Sequence, residues 1–318
     1  MRVWLTSPWI PAEWVRAHGL EPRGLWFEDQ FCSQVAPGSA GVCAFAEHAV
    51  QVAETQPDAA VIFTTTCDQL RRGFDAATFQ GRSRGFLFNV PATPSPAAKQ
   101  IYRAEVERLG RFLLELGGVA PTPEVLRREM LQADETRRGL REAAQAAPAC
   151  SVAEAVAGCG HRRAFSAPGV APSEPLVPLA VIGGPLRAAE GNLFEAIEAA
   201  GGRIALDATE SGERNLCPVF GNADDPFDAL VAGYFENIVD VFQRPNTRLY
   251  AWLKAGLSDR RARGIVLWHF TGCDLWRAEE QTLRETFGLP VLPLDAAEGA
   301  RLSPREVTRI EAFIEALK

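Results

Sequence analysis

The sequence has no excess of basic residues: 33 Lys and Arg stand against 40 Asp and Glu, a net charge of −7. No basic stripe is available to neutralise phosphates, which argues against nucleic acid as a partner. No apolar run approaches the ~20 residues of a membrane span. The chain opens directly on Met1-Arg2-Val3-Trp4-Leu5-Thr6, which reads as a first strand and not as a leader. These features predict no membrane partner and a cytoplasmic location. No G-x-x-x-x-G-K-[ST] phosphate loop occurs, so the chain is not expected to hydrolyse ATP by that route. No G-x-G-x-x-G follows a strand, which leaves a nicotinamide site unsupported. No C-x-x-C pair occurs among the 7 cysteines, which disfavours a thioredoxin-type site, a zinc ribbon and a ferredoxin-type cluster. In a reducing compartment such separated cysteines are expected to be buried, catalytic or metal-bound rather than paired in disulfides.

What is present is an α/β rhythm that runs twice. A chain of 318 residues, 47% hydrophobic and 23% charged, is long enough for two domains with full cores. Residues 1–146 read as an N-terminal α/β domain with connector helices. Residues 147–175, with four prolines and three glycines, read as a linker or crossover, and 176–318 as a C-terminal α/β domain. In the first half a strand is followed by a helix opening at Pro11, where proline suits the first turn. A Gly-, Ser- and Ala-rich loop then leads through Cys43 into a helix from Ala44 to Glu54. Strands are expected up to Cys67 and over Gly85–Val90. The spacing of Ile101, Val106, Leu109, Phe112, Leu113 and Leu116 predicts a helix over 97–117. An Arg- and Glu-rich helix over 122–146 reads as a solvated connector. The second half restarts with strands at Leu179–Gly183 and Gly201–Asp207. A polar loop from Asp207 to Arg214 and helices near 226–243 and 247–256 come next. A strand ending before Cys273, another at Pro290–Leu294 and a closing helix over Pro304–Leu317 complete the order.

One element is repeated across the halves. Ala60-Val61-Ile62-Phe63-Thr64-Thr65-Thr66-Cys67-Asp68 and Gly264-Ile265-Val266-Leu267-Trp268-His269-Phe270-Thr271-Gly272-Cys273-Asp274 are both apolar runs that pass through Thr to Cys-Asp. An unbroken apolar run suits a strand buried on both faces of a parallel sheet. Asp68 and Asp274 are expected to cap the helices that follow. Each Cys then lies at the carboxyl end of a strand, the edge where open α/β sheets bind ligands. A helix N-terminus there favours the thiolate that a metal requires. The competing reading makes each Cys a small buried hydrophobe. Three thiolates, from Cys43, Cys67 and Cys273, suit an iron–sulfur cube with one iron open, or a zinc with one open position. Cys150, Cys159 and His161 match no trusted zinc spacing and read as incidental.

The residues carry a resemblance. Ile10 to Pro22, Val42-Cys43, Thr66-Cys67-Asp68, Gly272-Cys273-Asp274 with Glu279 and Glu280, and Val307 to Glu315 together resemble segments of the D-component family of 2-hydroxyacyl-CoA dehydratases. That family includes the benzoyl-CoA reductase cluster subunits and the double-cubane cluster proteins. Asp207 to Arg214 is similar to the family's acidic loop ending in Arg. The resemblance implies two Rossmann-like domains, parallel sheets flanked by helices, with a [4Fe–4S] cluster in the cleft between them. Cys43, Cys67 and Cys273 would be its ligands. It implies an ATP-hydrolysing activator as electron donor and an acyl-CoA-type or small-molecule substrate, dehydrated (lyase) or reduced (oxidoreductase). It also implies a homodimer or a heterodimer with a related subunit. Glu13 would complement the dipole of its helix; by its place in the family's N-terminal motif it is also a candidate proton-transfer or substrate-contact residue. A larger double-cubane cluster is one alternative, drawing on Cys32, Cys150, Cys159 and Cys217. A non-catalytic cluster-bearing subunit is another. Trp9, Trp14 and Trp26 beside Phe27 and Phe31 suit either a subunit interface or an ordinary core.

Overall fold

The computed structural model describes residues 1–27, 41–79, 83–146, 175–186, 192–216, 218, 220, 224–296 and 302–318. The expected linker, apart from Pro175, lies outside the described residues. So do Cys32, Cys150, Cys159, Cys217 and Phe31.

Two four-stranded parallel sheets organise the chain. The first contains β1 (Arg2–Leu5), β2 (Glu21–Gly24), β3 (Ala59–Thr64) and β4 (Arg84–Phe88), in the order β2-β1-β3-β4. The second contains β5 (Val177–Gly183), β6 (Gly202–Ala208), β7 (Gly264–Phe270) and β8 (Val291–Ala296), in the order β6-β5-β7-β8. The two orders are the same: the first strand is central, the second lies on one side, and the third and fourth lie on the other. β3 and β7 are buried along their whole length, as their unbroken apolar runs predict. β2 is a strand that the sequence reading lacked, because Pro22 lies in it. An edge strand tolerates a proline whose missing N–H faces away from the ladder, and β2 is an edge.

Helices cover the sheets. They are α1 (Ala12–Ala17), α2 (Ala44–Thr55), α3 (Asp68–Thr78), α4 (Pro96–Glu115), α5 (Pro123–Ala146), α6 (Asn192–Ala199), α7 (Pro226–Asn237), α8 (Thr247–Asp259), α9 (Asp274–Ala278), α10 (Glu280–Phe287) and α11 (Pro304–Leu317). Among the described residues, no helix is long and apolar enough to cross a membrane. α11 starts in a full capping box: the Ser303 hydroxyl accepts from the Glu306 amide, and the Glu306 carboxylate accepts from the Ser303 amide at 2.6 Å.

The chain packs as two compact units, Met1–Gly139 with Cys217–Thr247, and Leu140–Leu216 with Arg248–Lys318. The expected boundaries placed residues 217–247 in the C-terminal domain. α7 instead buries Leu230, Val231, Tyr234 and Phe235 in the core of the first unit. A return excursion of this kind is invisible in a linear alternation of strands and helices. α5 also differs from expectation. It is not a solvated connector, because Leu126, Met130 and Ala133 fall on one face at helical spacing and are buried. On α4, Ile101 is 58% exposed, while its neighbour Tyr102 faces the core with Val106, Leu109 and Leu113. Trp9 and Trp26 are buried within the first unit, and Trp14 packs against Gly110, His18 and Phe227. These aromatics are accounted for by the core.

Candidate functional site

The repeated Thr/Cys/Asp element occupies the same topological slot in both units. Cys67 follows β3 and Cys273 follows β7, each the third strand of its sheet. In each sheet the chain leaves the central strand toward one side and enters the third strand on the other. The carboxyl end at that division is the ligand-binding position of open α/β sheets.

Cys67 is half-buried and is itself the N-cap of α3; its Sγ accepts from the Leu70 amide at 3.4 Å. The expected cap, Asp68, stands one residue inside the helix, where its carboxylate meets the positive end of the dipole. The loop before Cys67 is pinned from two sides. The Thr65 amide donates to Phe88 O at 3.1 Å and its hydroxyl accepts from the Val90 amide at 2.9 Å, which ties the end of β3 to the end of β4. Arg71, one turn into α3, donates to Thr65 O at 3.2 Å. Cys43 occupies the N-cap position of α2 without a side-chain capping bond, and its amide donates to the side-chain carbonyl of Gln69 at 2.8 Å. Gln69 lies two residues after Cys67, so one side chain links the N-termini of the two cysteine-bearing helices. Sequence inspection gave no reason to single out Gln69.

In the second unit, Cys273 is half-buried and caps α9. Asp274 again stands inside the helix rather than at its cap. The adjacent strand end is crowded. Gly183 has φ +154°, and a Cβ there would lie 1.8 Å from Trp268 O, so only glycine lets β5 and β7 approach this closely. The Gly184 amide donates to Trp268 O at 3.2 Å. The Asp207–Arg214 loop folds over this turn: the Glu210 amide donates to Gly184 O at 3.2 Å, and Ser211 exchanges bonds with both the amide and carbonyl of Leu186. Burial raises the Asp207 carboxyl above the usual carboxylate range, opposed by bonds from the Thr209 hydroxyl and amide and by the Arg214 charge.

Glu13 is fully buried in the first unit. Its Oε1 lies 2.5 Å from Arg137 Nη2 on α5, and its Oε2 accepts from the Tyr234 hydroxyl on α7 at 2.5 Å. Burial pushes the carboxyl upward, but Arg137, Arg16 and the Tyr234 bond outweigh it and hold the group below the usual carboxylate range. Arg137 also donates to the Tyr234 oxygen at 3.2 Å, which accepts from the Ala12 amide at 3.2 Å. Burial and the neighbouring Glu13 charge keep the Tyr234 phenol protonated far above its ordinary range. Three helices are thus clasped around one carboxylate. Neither Arg137 nor Tyr234 was legible as a partner in the sequence; the Leu126/Met130/Ala133/Arg137 spacing was the available signal.

Within either unit, among the described residues, no three His, Cys, Asp or Glu side chains form a metal-binding group. Taken singly, each of the three cysteines offers the kind of thiol donor that an iron–sulfur cluster takes. Cys43, Cys67 and Cys273 all stand at helix caps, and one sulfur already accepts a backbone N–H of the sort that stabilises a bound sulfur.

None of the curated proteins matches the chain. Among solved structures, it is similar at 13% identity to the SBP FpvC from Pseudomonas aeruginosa in complex with Mn2+, covering 100% of this chain and 98% of that one with a TM-score of 0.25. A mutant of FpvC shows 12% identity, with 100% and 99% coverage and a TM-score of 0.24. Likenesses of this order carry no argument about function. The family model described as 2-hydroxyglutaryl-CoA dehydratase, D-component, by contrast, matches residues 9–160 and 162–317. The chain therefore belongs to the 2-hydroxyglutaryl-CoA dehydratase D-component family, a family of dehydratase components.

Proposed function

We propose that this chain is the iron–sulfur subunit of a 2-hydroxyacyl-CoA dehydratase- or benzoyl-CoA reductase-like enzyme. Cys43, Cys67 and Cys273 would hold a [4Fe–4S] cluster. The observation that carries the reading is the matched placement of Cys67 and Cys273 after the third strand of two identically ordered sheets, within a family match that spans nearly the whole chain. When bound, a cluster with three thiolate ligands supplies one Lewis-acidic, redox-active iron. The protein's own residues would set up that position. Thr65 and Arg71 fix the loop before Cys67, Gln69 fixes Cys43 to the same helix end, and the Asp207–Arg214 loop supports the strand ends beside Cys273.

The substrate is an acyl-CoA-type molecule, and a separate ATP-hydrolysing activator delivers the electron. The chain works with a second copy of itself or with a related chain. Glu13 fits a positioning role better than proton transfer, because both of its oxygens are engaged and none of it is exposed. Anaerobic iron and sulfide analysis tests the proposal. About four irons per chain are expected, and about eight would favour a double-cubane cluster instead. Replacement of Cys43, Cys67 or Cys273 by Ala should each lower the iron content, while Cys150→Ala and Cys159→Ala leave it unchanged. Iron-free wild-type protein, or full iron in all three cysteine variants, overturns it. Anaerobic light scattering tests the pairing; a monomeric mass with the cluster intact and no copurifying chain counts against it.

A further inference from the structure

We infer that Arg214 is a positioning residue for Cys273 and acts on it through Trp276. The inference rests on the reading of Cys273 as a cluster ligand and adds to it the means by which that ligand is held. Arg214 stands in a single 3-10 turn, Glu213–Leu216, just after β6, and is 1% exposed. A guanidinium taken out of water must have its donors satisfied. Its Nε donates to Ala208 O at 2.8 Å, at the end of β6. Its Nη2 donates to Gly183 O at 2.6 Å, at the end of β5. Its flat face lies over the Trp276 ring, 4.7 Å from the centroid. Trp276 is 3% exposed and sits in α9, three residues after Cys273. One side chain therefore ties together the carboxyl ends of two adjacent strands and the helix that leaves the third.

The length of α9 makes this tie consequential. A helix of 5 residues has too few internal bonds to define its own position. The place of Cys273 is then set by what α9 packs against. Trp276 is its buried side chain, and that ring meets Arg214 on its face and Gly184 at its edge, where a Cβ would lie 3.7 Å from Cδ1. The backbone transmits the contact directly: the Arg277 amide, next to Trp276, donates to Cys273 O at 3.2 Å, and the Cys273 amide donates to Phe270 O at 2.9 Å. Lysine cannot substitute for arginine here. It lacks both the fork that reaches two carbonyls and the plane that stacks on an indole. The loop that supplies Arg214 follows the second strand of its sheet, the same order in which the first unit supplies Cys43.

The test reads the geometry at Cys273 in the full chain without metal. Wild type, Arg214→Lys, Trp276→Leu and Trp276→Phe are alkylated with iodoacetamide. Cys273 and Cys67 are quantified by peptide mass spectrometry, with Cys67 as the internal reference. Local opening sets the rate at a half-buried thiol, so Arg214→Lys and Trp276→Leu should each raise Cys273 alkylation about tenfold relative to Cys67, and Trp276→Phe, which keeps a ring face, should stay within about twofold. Circular dichroism and the thermal midpoint establish that each variant is folded. If Arg214→Lys does not fold, Trp276→Leu decides the matter, because it removes the stack and retains Arg214. An unchanged Cys273-to-Cys67 ratio in the folded variants overturns the inference. The cluster reading is judged separately by wild-type iron content, so the two failures are distinguishable.

Discussion

Removal of Arg137 is the sharpest perturbation of the first unit. Its guanidinium lies 2.5 Å from a Glu13 carboxylate that has no exposure, and Arg137 itself is 12% exposed. Breaking a buried pair from one side leaves an uncompensated charge and costs about 3–5 kcal/mol. Arg137→Met, which keeps the stem and removes the charge, should fall in that range. Tyr234→Phe deletes one bond to the charged carboxylate and should cost about 1.5–3 kcal/mol. Glu13→Leu combined with Arg137→Met removes both charges, and the double variant should be more stable than Arg137→Met alone, since the buried charge that causes the loss is gone. The pH dependence supplies a second readout. In the wild type, Glu13 is held below the usual carboxylate range, so it binds its proton more weakly folded than unfolded. Its contribution is present above the ordinary carboxylate pKa and is lost as pH falls through the folded value. In Arg137→Met burial dominates, the folded carboxyl moves up, and the sign reverses: stability is lost as pH rises. The gap between wild type and variant should therefore be wider at about pH 7 than at about pH 4. Urea denaturation followed by near-UV circular dichroism at the two pH values measures both effects. A loss under about 1 kcal/mol for Arg137→Met, or a double variant no better than the single, refutes the clasp.

Gly183→Ala should prevent the second unit from folding, because the new Cβ would stand 1.8 Å from Trp268 O; soluble, folded protein by circular dichroism would refute the close approach. Gly212→Ala should be strongly destabilising as well, since its Cβ would lie 2.2 Å from the Asp207 carboxyl carbon, and thermal denaturation checks it. Glu213 is pushed up to about 7, mainly by burial and further by Asp207, against the opposing charge of Arg260 at 3.1 Å. Its folded form holds a proton more tightly than its unfolded form, so stability should fall as pH rises from the ordinary carboxylate range through about 7. Glu213→Gln should flatten that slope, measured as the thermal midpoint against pH.

The sequence by itself determined the class of fold and the order of most elements, since a strand buried on both faces must be an apolar run and a helix in a turn-and-strand rhythm must start at a cap. The repeated Thr/Cys/Asp element was legible for the same reason, because the buried runs of β3 and β7 put Cys67 and Cys273 just past strand ends. Tertiary structure alone decided the rest. Tyr234 is 221 residues from Glu13 and Arg137 is 124, so no local pattern pairs them. Pro22 disguised β2, because whether a proline is tolerated depends on the strand being at an edge. Cys67 and Cys273, and not the aspartates after them, became the caps, because the helices begin one residue earlier than side-chain preference suggests. The return of residues 217–247 to the first unit is a matter of which core has room for Leu230, Tyr234 and Phe235. That is a packing condition between segments far apart in the chain, and a linear sequence does not express it.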